Sequence, residues 1–276
     1  MKIKNYLDKV IAYVFLVAWV LIVFFPLWTM IVNSFKTQHE IFTDPFSLPK
    51  VFTLEGYKNA LEMGNFGVFF LNSLFITVVS LSLILLFGSL AAYALVRWKC
   101  RLSNALYFFF IIGMMIPIRL GTMSVVKIII SLGLNNKTYG LIPIYVASGI
   151  PVSILVLTAF IRSLPKGLID AASIDGASEI TIFWKIILPL IRPALSTVAI
   201  FNMIPIWNDF WWPLILLRQE SVRTVPLGVS LLFGEFSANW TNILSVLTLA
   251  SIPMIILYLL MSKQFIRGLT AGAMKG

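Results

Sequence analysis

The chain has 276 residues, 59% of them hydrophobic and only 12% charged, with a mean hydropathy of +0.96 and a net charge of +10. Soluble globular domains carry about 25% charged residues, so a water-soluble fold is excluded and the bilayer is the main solvent of this sequence. The basic excess is not a nucleic-acid footprint, because no Lys/Arg cluster is long or aromatic-interleaved enough to follow a phosphate backbone; it reads as topology and attraction to a lipid surface.

A spanning helix needs about 20 mostly apolar residues, and six runs approach or pass that length: 10–34, 68–96, 105–119, 140–161, 190–217 and 243–266. The predicted fold is therefore all-α, a polytopic membrane bundle of six transmembrane helices. The first run is longer than the about 7–15 apolar residues of a signal-peptide core, and no small-residue cleavage site follows Lys2, Lys4 and Lys9, so an uncleaved span is expected. Residues 36–67 form a polar connector with turn chemistry at Asp44-Pro45 and Leu48-Pro49, then a short helical pattern through Tyr57, Ala60, Leu61 and Met63. Its His39 is the single histidine and, without a carboxylate or cysteine cluster nearby, reads as a solvated loop residue. Asn72 and Ser73 are read as the start of the second span, with pore lining as the alternative. Cys100, the one cysteine, lies among Arg97, Lys99 and Arg101 and has no partner for a disulfide.

The third run is short and contains Pro117. Beyond it, Val125, Ile128, Ile129 and Leu132 fall on one helical face, which predicts a helix lying along the outer interface. Pro26, Pro117, Pro151, Pro205 and Pro253 interrupt the spans; each removes a backbone donor and kinks its helix, and Pro205 also has the neighbours of a hinge. The connector 218–242, with Pro226, Gly228, Gly234 and Trp240, is expected on the outer side.

Cytoplasmic loops carry the Lys/Arg excess in membrane proteins. With the N-terminus inside, cytoplasmic segments hold thirteen basic residues (Lys2, Lys4, Lys9, Arg97, Lys99, Arg101, Arg162, Lys166, Lys185, Arg192, Lys263, Arg267, Lys275) against eight outside. Both termini are therefore expected in the cytoplasm.

The most informative segment is a hydrophilic island on that side. Pro165 starts a short helix that includes Asp170, Ala171, Ala172 and Ile174, and Gly176 is placed to close it with a positive φ. Ser178 is the N-cap of a second helix with Glu179 in its first turn, where the helix dipole favours an acid. Ile180, Phe183, Trp184 and Ile187 then form a stripe at i, i+3, i+4 and i+7, predicted to face the bundle or the membrane. An ordinary amphipathic loop packed on its own protein is one reading. Small alanines beside Asp170 and Asp175 favour the other, insertion into a partner's groove.

The island resembles the EAA loop of ATP-binding-cassette importer permeases, whose pattern is E-A-A, three residues, G, nine residues, then I-x-L-P. Here Asp170-Ala171-Ala172 stands at the E-A-A positions, Gly176 follows after three residues, and Ile186, Leu188 and Pro189 complete the pattern. Asp170 keeps the charge on a side chain one methylene shorter. The likeness continues through Trp207-Asn208-Asp209-Phe210, Pro213-Leu214 and the tail from Arg267 to Gly276, which resemble carbohydrate-importer permeases of the maltose-transporter MalG type.

The resemblance implies one transmembrane permease domain over 1–276 with the MetI-like permease fold, a cytoplasmic coupling loop over 162–189 and a cytoplasmic tail over 267–276. It implies two nucleotide-binding ATPase subunits, which bind ATP and Mg, gripping Asp170, Ala171, Ala172, Asp175, Gly176 and Ala177 and touching the tail at Gly272, Lys275 and Gly276. A second permease subunit in a heterodimer, an extracytoplasmic solute-binding protein and a bacterial cytoplasmic membrane complete the implied assembly. The solute is a sugar or oligosaccharide, with a sugar phosphate or acidic oligosaccharide as the alternative. No cofactor is expected in this chain.

For the solute path the candidates are Trp207, Asn208, Asp209, Phe210 and Trp211. Asp209 is an acid deep in an apolar run, where a charge costs about 2.5–3.5 kcal/mol on insertion scales. Two readings stand, a structural pairing and solute contact. The aromatics can stack on sugar rings or serve as an interfacial belt. No G-x-x-x-x-G-K-[ST] loop occurs, so this chain cannot cradle ATP phosphates and is not itself the ATPase. A gradient-driven secondary transporter is the competing class, and it would show inverted repeats and convergent ion ligands. An intramembrane enzyme would need paired acids or an activated nucleophile.

Overall fold

The computed structural model describes residues 2–62, 65–231 and 239–273. In chain order its helices are α1 (Lys2–Asn33), α2 (Gln38–Thr43), α3 (Glu55–Glu62), α4 (Phe66–Arg97), α5 (Arg101–Met115), α6 (Thr122–Ser131), α7 (Ile142–Arg162), α8 (Lys166–Ile174), α9 (Glu179–Ile182), α10 (Leu188–Leu190), α11 (Arg192–Trp207), α12 (Trp211–Leu216), α13 (Val225–Leu231) and α14 (Trp240–Ala273). Tight 3-10 turns sit at Ile118–Gly121, Thr138–Leu141 and Glu220–Val222, and a π-helical turn at Phe183–Ile187 joins α9 to α10. Among the described residues there is no strand, as the all-α expectation requires.

Four stretches, 8–33, 66–97, 138–162 and 240–262, are single helices long and apolar enough to cross a membrane. Two more are broken: 101–115 with 118–131 bends by 81°, and 179–190 with 192–207 bends by 75°. The third expected run, 105–119, is thereby corrected to Arg101–Met115. Ile116, the residue before Pro117, is extended at φ −84° and ψ 117°, because a proline ring disfavours the helical conformation of its predecessor. The helix beyond the break forms as predicted; Ile129 is buried and Val125 and Val126 half-buried, whereas Ile128 and Leu132 are exposed.

The fifth run, 190–217, is also corrected. α11 ends at Trp207, where Asn208 turns its side-chain amide back to donate to the Ile204 carbonyl at 3.0 Å. The chain restarts as α12 because the Asp209 carboxylate accepts from the backbone N–H groups of Trp211 and Trp212, at 3.3 and 3.2 Å. Pro26, Pro151, Pro205 and Pro253 lie inside helices that continue through them.

The chain divides into two compact units, residues 1–67 with 228–252, and residues 68–227 with 253–276. In the first, α1 exposes apolar side chains all round from Val10 to Trp28, as expected of a helix whose solvent is lipid. The connector after it is a folded lobe with its own helix α2, which the sequence reading did not anticipate. Thr37 caps that helix by accepting from the Glu40 N–H at 3.4 Å. Lys36 is fully buried and donates to the Asp44 carbonyl at 2.8 Å, while Glu40 accepts from the Lys50 N–H at 2.6 Å. The Lys50 ammonium, 3.2 Å from Asp44, holds that carboxyl below the usual carboxylate range. Phe35 stacks on Phe52 with centroids 4.9 Å apart, and Ser34 shares a 2.6 Å hydrogen bond with Tyr57.

The second unit is built on α4, α7 and α11, with Ile84, Ile154, Leu157 and Val198 fully buried among them. Small residues allow the close approach. A Cβ on Gly149 would stand 2.5 Å from both Asn202 Oδ1 and Ile84 Cδ1, and one on Gly88 would stand 2.7 Å from Ser153 Cβ. Asn72 and Ser73 do not start α4, which begins at Phe66. Instead they brace the segment before α13: Asn72 donates to the carbonyls of Ser221 and Arg223 at 2.9 and 3.0 Å, and Ser73 accepts from the Val225 N–H at 2.8 Å.

Candidate functional site at the two ends of the second unit

The elbow between α7 and α11 is assembled from local rules. Pro165 precedes α8 with fixed φ, and the helix closes on Gly176 at φ +78°. The Gly176 N–H donates to the Ser173 carbonyl at 3.1 Å and the Ala177 N–H to the Ala172 carbonyl at 3.0 Å, the bond pair of a Schellman motif. Asp170, Ala171, Asp175 and Gly176 are exposed, whereas Ala172 and Ala177 are half-buried against the unit's core. Ser178 caps α9 by accepting from the Thr181 N–H at 3.3 Å, with Glu179 at the first helical position. Both helix starts and the glycine closure stand where the sequence placed them.

The apolar stripe of the second arm is divided between the unit's core and its surface. Phe183 and Ile187 are buried, at 2% and 1% exposure, but Ile180 and Trp184 are exposed at 72% and 49%. Ile182 and Ile191 are fully buried as well. A π-helical turn spans Phe183–Ile187, and its wider i→i+5 bonding moves the residues after it off the 3.6-residue register of α9.

Sequence reasoning missed how the elbow is tied down. Tyr93 and Arg97, one turn apart on α4, both reach Glu179. The Tyr93 hydroxyl donates to Oε2 at 2.6 Å; Arg97 Nε donates to Oε1 at 2.9 Å and its Nη2 to Oε1 at 2.7 Å. Arg97 Nη2 also donates to Ser173 Oγ on α8 at 3.4 Å, and the Tyr93 ring lies 5.6 Å from that of Phe183. One guanidinium thus joins α4 to both arms of the elbow. Nothing local in the sequence marks a pair 82 positions apart; Glu179 was legible only as a helix-dipole partner. Just beyond α4, Cys100 is exposed, and hydrogen bonds from the Ser103 hydroxyl and backbone lower its thiol pKa.

At the opposite end, about 25 Å away along α7 at 1.5 Å per residue, Asp209 is committed to internal bonds. Besides the two backbone donors of α12 it accepts from the Tyr145 hydroxyl at 2.8 Å and lies 4.0 Å from Arg119 Nη2, with its side chain 8% exposed. Trp207 is buried edge-on against Phe70, with centroids 5.8 Å apart. Asn208, Phe210 and Trp211 are exposed. The Trp211 indole donates to Thr122 Oγ1 at 3.3 Å, and the Arg119 guanidinium stands 5.8 Å from its ring centre. Of the five path candidates, three therefore present surface and two are internal. Among the tail candidates, Gly272 lies on α14, and Lys275 and Gly276 lie outside the described residues.

This chain is similar to several bacterial permeases along nearly its whole length. It is 37% identical to a putative ABC transporter permease protein ORF2 of Caldicellulosiruptor sp. (strain Rt8B.4), covering 96% of each chain. It is 34% identical to the probable starch degradation products transport system permease protein AmyC of Thermoanaerobacterium thermosulfurigenes, over 91% of each, and 32% identical to the melibiose/raffinose/stachyose import permease protein MelC of Bacillus subtilis (strain 168), over 92% of each. In fold it matches a chain from the crystal structure of a bacterial ABC transporter that imports the acidic polysaccharide alginate, with a TM-score of 0.78 at 23% identity over 95% of this chain and 98% of that one. Residues 84–271, which hold the elbow, the Asp209 turn and most of α14, match the family model for the binding-protein-dependent transport system inner membrane component. The chain belongs to that family, and is a multi-pass membrane protein of the inner-membrane permease class.

Proposed function

We propose that this chain is the permease subunit of an ATP-driven importer that moves a sugar or oligosaccharide into a bacterial cytoplasm, over one transmembrane domain spanning 1–276. The observation that carries it is the exposed elbow: a glycine-closed helix presenting Asp170, Ala171 and Asp175, in a chain of the binding-protein-dependent family. Two ATPase subunits grip that elbow and supply the energy, a second permease subunit completes the channel as a heterodimer, and a solute-binding protein delivers the cargo from outside. Support for a carbohydrate comes from the starch-product and melibiose/raffinose/stachyose permeases among its relatives.

In this reading the elbow and both termini are cytoplasmic, the orientation that the distribution of basic residues favours. Ala172 and Ala177 seat the elbow on the unit, Asp170, Ala171, Asp175 and Gly176 face the ATPase, and Gly272, Lys275 and Gly276 extend that contact. At the far end Asn208, Phe210 and Trp211 border the solute path, while Trp207 and Asp209 hold its wall. Differential affinity of the ATPase dimer for two bundle states drives the change of access. The test is uptake into proteoliposomes holding the purified assembly, with ATP inside and binding protein outside. Neutral oligosaccharides, uronate oligosaccharides and sugar phosphates are the separate arms. ATP-dependent accumulation of a neutral oligosaccharide is expected; accumulation that follows an ion gradient without ATP, or carriage of no carbohydrate, refutes the proposal.

A further inference from the structure

The elbow has two mechanical attachments to the bundle. One is covalent, through α7 before it and through α9, the π-helical turn and α10 into α11 after it. The other is the side-chain joint at the end of α4, where Tyr93 and Arg97 hold Glu179 and Arg97 also reaches Ser173. The covalent route through the second arm contains a π-turn followed by a 75° bend at Ile191, two places where a helix does not act as a straight rod. The joint has neither. Two side chains one turn apart on a single unbroken helix meet a carboxylate at the first position of α9, and the guanidinium makes a forked contact with both carboxylate oxygens, which restricts angle as well as distance. Beneath it, Tyr93 and Phe183 are buried at 4% and 2% exposure, so the joint rests on a packed floor rather than on a flexible loop.

We infer that Arg97 and Glu179 are positioning residues for coupling: they transmit displacement of the elbow into α4, so that α4 moves together with α11 when the elbow is pulled. The inference deepens the importer reading and rests on the elbow being the ATPase contact. Tyr93 supplies the third side of the joint by donating to the same carboxylate, and Ser173 relays the guanidinium to the α8 backbone through its own bond to the Ile169 carbonyl at 2.9 Å. Asp170 and Asp175 sit outside this joint and remain exposed for a partner. The elbow's acids are thus divided, one directed inward to α4 and two outward.

The experiment uses the whole transporter in proteoliposomes and reads three quantities for each variant: ATPase subunits retained on purification, binding-protein-stimulated ATP hydrolysis, and solute accumulated per ATP hydrolysed. Arg97→Gln and Glu179→Gln are expected to keep the ATPase subunits and to hydrolyse ATP, while solute per ATP falls about tenfold. The charge-swapped pair Arg97→Glu with Glu179→Arg is expected to recover most of that ratio, a recovery that loss of general stability does not produce. An unchanged ratio in both single variants overturns the inference, as does a swapped pair no better than the singles. Where a single variant does not assemble, recovery of assembly and ratio by the swapped pair supports the joint, and failure to recover overturns it. Retention of ATPase subunits by the unaltered chain, and their loss in Asp170→Lys, reports separately on the elbow as the docking site, so failure of the importer reading is distinguishable from failure of the joint.

Discussion

The two ends of the second unit use the same residue types in opposite ways. At the elbow, Asp170 and Asp175 are exposed and the helix that carries them is closed by backbone bonds alone. At the far end, Asp209 is enclosed and spends its carboxylate on Tyr145 and the first turn of α12, while Phe210 and Trp211 take the surface. The elbow leaves charge available to a partner that can pair it; the far end presents flat apolar faces and keeps its charge for architecture. The position of Asp209 in an apolar run is therefore not evidence of a solute contact, because its carboxylate is engaged by the donors that the broken helix leaves open.

Four perturbations probe this contrast. The largest effect belongs to the outward acids: Asp170→Lys combined with Asp175→Lys should cut ATP-driven uptake by at least about a hundredfold, near the upper end of coupling energies between sites, with the spans still folded. Retention of full uptake by that variant would break the comparison at the elbow. Next, Asp209→Ala strips a buried acceptor from the Tyr145 hydroxyl and two backbone donors. It should destabilise the assembly by about 2–4 kcal/mol, read as a lower melting temperature in detergent, with Asp209→Asn intermediate. Should Asp209→Ala melt normally yet abolish uptake, Asp209 would be a solute ligand rather than a brace.

A smaller loss, about 1–3 kcal/mol of overpacking strain, is expected for Gly149→Ala, whose new Cβ meets Asn202 and Ile84; shortening Asn202 to Ala in the same chain should relieve part of it. The smallest effect is expected at the far surface. Trp211→Ala or Phe210→Ala should lower uptake only a few-fold, on the order of the 0.5–1.5 kcal/mol that an aromatic contact contributes, and should raise the half-saturating solute concentration if these rings line the path. Orientation is testable without a new cysteine. Cys100 is exposed beside the elbow end, and its lowered thiol pKa favours the reactive thiolate. A membrane-impermeant maleimide should label it in inverted vesicles and spare it in right-side-out ones.

Local physics made much of this molecule legible in advance. Long apolar runs announced the crossings, and Pro165, Gly176 and Ser178 set the limits of the elbow, because a fixed φ, a permitted positive φ and a short acceptor side chain act on their immediate neighbours. The EAA-like spacing pointed to the permease class for the same reason, since it is a pattern within a few turns of helix. The folded lobe around buried Lys36 was missed, as its nearest acceptor is the Asp44 backbone carbonyl, which a sequence does not display.

What the sequence by itself determined was the solvent of the chain, its helical class and the shape of its exposed elbow, all consequences of composition and of contacts within a few residues. Only the tertiary structure decided which acids face outward and which are internal: Glu179 meets Arg97 across 82 positions and Asp209 meets Tyr145 across 64. Those pairings depend on the path of α4 and α7; beyond Glu179 a π-turn shifts register without any proline or glycine of its own to mark it. Long-range bonds and register are set by how helices settle against one another, a property of the assembled unit that no short stretch of chain contains.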